Sequence, residues 1–75
     1  MQLANKTIIV VGLGETGIAV ARFLNKRGAT VIVSDQAAEE ALGSRVQRIH
    51  EMDIALELGR HRTQTFERAD LVVLS

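Results

Sequence analysis

Seventy-five residues make one small domain spanning 1–75, or a piece of a longer chain, and a domain this short buries only about 60% of its unfolded surface. Nine basic and nine acidic residues cancel, so there is no electrostatic footprint for nucleic acid or for an anionic membrane. Cysteine is absent, which excludes disulfide staples, zinc fingers and thiol nucleophiles. No apolar run approaches the ~18 residues of a membrane span, and no signal-peptide pattern precedes the first apolar run. The expectation is a cytoplasmic protein. Phe23 and Phe66 are the only aromatic residues, which implies an aliphatic core and leaves no base-stacking platform.

In chain order, Ile8-Ile9-Val10-Val11 is a continuous β-branched run ended by Gly12, as expected of a strand covered on both faces. Residues 15–27 read as a helix, with Ile18, Ala21 and Leu24 on one face and Arg22, Lys26 and Arg27 able to reach solvent. Gly28 stands where a left-handed cap ends such a helix. Thr30-Val31-Ile32-Val33 is a second strand, closing at Ser34-Asp35. Leu42, Val46, Ile49 and Met52 recur at helical spacing, but Gly43-Ser44 interrupts the pattern and blurs the helix start. Ile54, Leu56 and Leu58 alternate with Ala55 and Glu57, predicting a half-exposed edge strand. Gly59-Arg60-His61 is a loop, residues 63–68 a short helix, and Leu71-Val72-Val73-Leu74 a fully apolar fourth strand.

The pattern β-α-β-α-β-α-β predicts an α/β fold. Right-handed crossovers then give a parallel sheet in the order 3-2-1-4 with helices on both faces, the first half of a Rossmann-like doubly wound fold. The last strand is apolar on both faces with nothing after it to cover its outer side. An uncovered edge of this kind invites pairing. The expectation is a chain truncated before a fifth strand, which pairs beside Leu71–Leu74 in a longer protein or is replaced there by a partner or a second copy.

Chemistry concentrates at Gly12-Leu13-Gly14-Glu15-Thr16-Gly17. Gly12 permits the tight turn out of the strand, Gly14 lets backbone approach a phosphate, and Gly17 lets the helix sit close on the strand. The helix N-terminus supplies N–H groups and the positive end of its dipole. Eighteen residues after Gly17, Asp35 ends the second strand, where a carboxylate can bond a ribose hydroxyl. The same glycines can also serve turn and packing alone, and Asp35 can be a turn-forming aspartate. Gln36 and Ala37 place no cation beside Asp35, which disfavours a 2′-phosphate and hence NADP. Glu15 is expected to point to solvent, away from a close phosphate, and Thr16 is the better phosphate contact. His50 and His61 lack the neighbours of a metal site, so no metal is expected. They read as surface or capping histidines, Arg60-His61-Arg62 as a solvated loop, and Glu39-Glu40 as a surface pair.

Five segments recur together: the glycine turn at 12–17, Lys26-Arg27-Gly28-Ala29-Thr30-Val31, Val33-Ser34-Asp35, Glu57-Leu58-Gly59 with His61, and Ala69-Asp70-Leu71-Val72-Val73-Leu74-Ser75. In this order and spacing the chain resembles, over nearly its whole length, the N-terminal domain of the Mur ligases that add D-glutamate to UDP-N-acetylmuramoyl-L-alanine in peptidoglycan synthesis. The resemblance implies three domains: this one for the UDP-sugar, a central ATPase and a C-terminal domain for the amino acid. It implies that Glu15 and Thr16 meet the diphosphate largely through backbone, with Gly12, Gly14 and Gly17 shaping the turn. Asp35 and Gln36 would meet the uracil–ribose end, and Ser75 would lead into a Pro-Gly loop bordering the ligand. Some relatives carry an arginine where this chain has Ala37, so no charged contact is implied there.

The resemblance further implies an ATP-dependent, amide-forming parent enzyme that activates a carboxylate as an acyl phosphate for attack by the D-glutamate amine, with ATP and Mg2+ held elsewhere in the parent. No GxxGK[ST] phosphate loop occurs here, so no catalytic residue is expected in these 75 positions and the role is binding and positioning. The expected partners are UDP-N-acetylmuramoyl-L-alanine and the remaining domains of the same chain. The glycine turn and Asp35 fit two other readings equally well: an NAD-binding half of a dehydrogenase, and a regulatory NAD- or nucleotide-sensing module.

Overall fold

The computed structural model describes residues 2–75. Four strands, β1 (Thr7–Val11), β2 (Thr30–Asp35), β3 (Ala55–Leu58) and β4 (Leu71–Leu74), form one parallel sheet in the order β3-β2-β1-β4. Four helices connect them: α1 (Glu15–Lys26), α2 (Glu39–Leu42), α3 (Ser44–His50) and α4 (Thr63–Glu67). The Rossmann-like order expected from alternation of strands and helices is the order observed. Boundaries move by a residue: Thr7 joins β1, Arg27 caps α1 rather than extending it, and β3 starts after Ile54.

Register decides which side chains share a face. Ile8 pairs with Val31 and Val10 with Val33, so these four point to one side, where α1 and α3 cover them. Ile18, Ala21 and Leu24 of α1, Val46 and Ile49 of α3 and Leu42 of α2 complete this core. The apolar periodicity predicted one helix, whose start Gly43-Ser44 left uncertain. Instead Gly43, at φ +59°, breaks the segment into α2 and α3 while keeping Leu42, Val46 and Ile49 on the buried side. Met52, the last member of the pattern, lies beyond α3 and packs half-buried against the core.

The other face carries Ile9, Ile32, Ser34 and Glu57, with α4 lying over it. Thr65 of α4 donates its hydroxyl proton to Glu57 Oε2. No residue of α4 is buried. β4 is held at its start by a reciprocal clip, in which the Thr7 N–H donates to the Asp70 carboxylate and the Asp70 N–H to the Thr7 carbonyl, each at 2.8 Å. Within the described residues β4 is the sheet edge beside β1, and Leu71, Val72 and Leu74 are exposed, Leu74 most at 79%. Among the described residues no helix is long and apolar enough to cross a membrane.

Candidate functional site

The carboxyl ends of β1, β2 and β4 meet at the glycine turn. Gly12 turns at φ +104°, a left-handed conformation that a side chain would strain. At Gly17 the limit is space: a Cβ there would stand 2.0 Å from the Gly12 carbonyl oxygen, so helix and turn approach as closely as backbone allows. Gly14 differs from both. It caps α1 in an extended conformation without any side-chain cap, and a Cβ at this position would meet nothing within 4 Å. The close approach that Gly14 permits is therefore not used by the protein itself. It faces open space at the positive end of a twelve-residue helix, a favourable place for an anion.

Three segments distant in sequence hold the turn. Asp35 Oδ2 accepts the Leu13 N–H at 2.7 Å, and Oδ1 accepts the Ala37 N–H at 2.8 Å. Asp35 is thus a turn-forming aspartate and a clasp on the glycine turn, and each oxygen keeps a further lone pair for a ligand. Burial alone would raise its carboxyl pKa. The Leu13 and Ala37 N–H groups, aided by the charges of His61 and Arg45, more than offset this and hold the group below the ordinary value of 3.8. From the other side, the Ser75 hydroxyl donates to the Val11 carbonyl at 2.8 Å and lies 3.1 Å from the Gly12 carbonyl.

The third clasp comes from α3. Arg45 donates Nη1 to the Leu13 carbonyl and Nε to the Leu42 carbonyl, both at 3.1 Å. The residues after Asp35 offer no cation, yet folding brings this guanidinium into its field from ten positions away. One turn further along α3, Arg48 pairs with both oxygens of Glu15 at 3.1 and 2.9 Å. The Glu15 side chain is 74% exposed, as expected of a side chain that points to solvent, and its carboxylate is directed at α3. Thr16 is exposed on the first turn of α1.

A depression of about 190 Å³ opens between Gly12, Asp35 and Gln36, with Val11 and His61 as its remaining walls. Of the predicted residues, Gly12, Asp35 and Gln36 line this depression and Ser75 braces the Val11 and Gly12 carbonyls, while Gly14, Glu15, Thr16 and Gly17 form the start of α1 and do not line it. His61 departs from its sequence reading. It is half-buried rather than a solvated loop residue, with Nδ1 2.6 Å from Ser34 Oγ and its ring edge-on to Phe66. Its flanking Arg60 and Arg62 are exposed, as expected, and so is His50. Nothing in spacing marks the Ser34–His61 pair. The one available signal is a serine in the register of a buried strand, where a hydroxyl needs a partner. Among the described residues no group of three or more His, Asp or Glu side chains is placed to hold a metal ion.

Comparison with known proteins sets this geometry in a family. Residues 6–75 match the family model described as the N-terminal domain of MurD-like Mur ligases. The whole chain is 53% identical to a UDP-N-acetylmuramoylalanine–D-glutamate ligase of Geobacter sp. (strain M21), and equally to that of Geotalea uraniireducens (strain Rf4), covering 17% of each. The chain thus spans about a sixth of the length of these relatives. Among solved structures, the A chain of dipicolinate synthase from Bacillus subtilis is similar in fold, with a TM-score of 0.81 at 24% identity over all of this chain and 24% of that one.

Proposed function

The chain belongs to the family of MurD-like N-terminal domains of Mur ligases, and from that premise we propose that it is the recognition domain for UDP-N-acetylmuramoyl-L-alanine in an ATP-dependent ligase that adds D-glutamate during peptidoglycan synthesis. The observation that carries the reading is identity of 53% across the whole chain to ligases of that name. The geometry agrees with it. Gly14 and the first turn of α1 would take the diphosphate on backbone N–H groups, with Glu15 turned aside to Arg48. Asp35 and Gln36 would take the uracil–ribose end across the depression, and Ser75 would brace the turn from β4.

The domain's part in the reaction is positional. Binding energy collected at the UDP end helps place the distant reacting carboxylate, so loss of the anchor should weaken the transition state as well as the complex. ATP and Mg2+ serve the parent enzyme in this reading, and the residues present do not fit either: the sequence has no GxxGK[ST] loop and the described residues form no ligand cluster for a metal. The reading also includes a cytoplasmic protein, contact with the remaining domains of the parent, and pairing or self-association along the open edge of β4.

The test is a titration of the isotopically labelled chain with UDP-N-acetylmuramoyl-L-alanine and, separately, with NAD, following the amides of residues 12–17. The UDP-sugar should shift Gly14 to Gly17 and NAD should not. Shifts with NAD and none with the UDP-sugar would replace this reading with a dinucleotide-binding one.

A further inference from the structure

The loop after β3 carries an imidazole that the reading above leaves without a task. Three restraints hold it. His61 Nδ1 lies 2.6 Å from the hydroxyl of Ser34, a side chain with no exposure to solvent. The ring stands edge-on to Phe66 of α4, centroids 5.8 Å apart. Two residues earlier, the Gly59 N–H lies 3.0 Å from the carbonyls of both Asp35 and Ala37, which fixes this loop to the segment that follows β2. With Nδ1 committed to Ser34, the ring has Nε2 left to offer, and it walls the same depression as Gly12, Asp35 and Gln36.

We propose that His61 is a ligand-binding residue of the glycine-turn site, its Nε2–H donating to a diphosphate oxygen of the bound UDP-sugar. The proposal rests on the UDP-sugar reading. It follows from what the ring can do in each protonation state. When the Ser34 hydroxyl donates to Nδ1, the neutral tautomer carries its proton on Nε2; as imidazolium, both nitrogens donate. Either form can serve an anionic oxygen, and the cation does so more strongly.

Charged and uncharged groups from several elements surround the ring. Asp35 of β2 interacts with the ring through charge, and Arg45 of α3 acts on Asp35. Arg60 and Arg62 flank the ring on its own segment. Glu57 of β3 is engaged by Thr65, while Val11, Thr63, Phe66 and Leu74 bring no charge to the ring's other side. A diphosphate between two esters keeps its negative charge across the imidazole range. Ligand binding and ring protonation must therefore strengthen each other by the same factor. Affinity for the UDP-sugar should rise as falling pH protonates the ring.

The experiment follows the His61 ring nitrogens by NMR in the whole chain, from pH 5.5 to 8, with and without UDP-N-acetylmuramoyl-L-alanine. The amides of residues 12–17 are recorded alongside, and uridine serves as a probe without a diphosphate. The UDP-sugar should move Nε2 and raise the ring's titration midpoint, and uridine should do neither. His61→Gln should bind the UDP-sugar about tenfold more weakly at pH 6, the loss of one charge-assisted hydrogen bond, and less so at pH 8. Ring signals that ignore the UDP-sugar while the glycine amides respond would overturn the role of His61 and leave the UDP-sugar reading standing. Glycine amides that ignore it would overturn the reading and the proposal together. Should His61→Gln fail to fold, the titration of the unaltered ring decides alone.

Discussion

On one face of the sheet α1 and α3 cover Ile8, Val10, Val31 and Val33, none of which is more than 4% exposed. On the other, α4 lies over Ile9, Ile32 and Ser34 without burying any residue of its own. The first face is joined by apolar contact. The second is joined by side-chain hydrogen bonds, Ser34 to His61 and Thr65 to Glu57, and grades into the exposed Val72 and Leu74 of β4. The contrast separates two demands on a small domain. Stability comes from one dry layer, and the polar groups at the rim of the site belong to the layer that contributes less to it.

Substitutions can break or sharpen that contrast. The largest effect should come from Ile18→Ala on the packed side. It removes a side chain 1% exposed, and a cost of about 2–5 kcal/mol is expected in urea unfolding, a large share of what so short a chain has. Ser34→Ala on the thin side should cost about 1 kcal/mol, the worth of one hydrogen bond whose half-buried partner can turn to water. A Ser34 variant as damaging as the Ile18 one would show that the second face is as essential to the fold as the first. The smallest effect is expected for Val72→Lys at the open edge. Unfolding should shift by no more than about 0.5 kcal/mol, while light scattering at high concentration shows less association than the parent chain. An unchanged association would place self-contact elsewhere than β4.

The packed face was the legible one. Unbroken β-branched runs announced β1 and β2, Ile18, Ala21 and Leu24 announced the buried side of α1, and the alternation through Leu56 and Leu58 announced an edge. Each is a periodic signal, because burial against a regular element repeats with that element. Gly12 and Gly17 were legible for a related reason, since a backbone demand that only glycine meets leaves a glycine behind. The site's remaining parts carry no period. Arg45 reaches Leu13 across 32 positions and His61 reaches Ser34 across 27, and each meeting is fixed by how the crossovers pack. Gly43 stood in between: as an interruption it was visible, but a break into two helices and a blurred start look alike until φ is known.

The clasps on the glycine turn bear on what can be transplanted. Leu13 alone is gripped at its N–H by Asp35 and at its carbonyl by Arg45, and the carbonyls of Val11 and Gly12 face the hydroxyl of Ser75. A graft of residues 12–17 onto another strand–helix junction would carry the Gly12–Gly17 approach and none of these bonds. The six residues spell a motif, but the shape that a ligand would meet is written by positions 35, 45 and 75 as well. Whoever borrows the turn must borrow its distant neighbours.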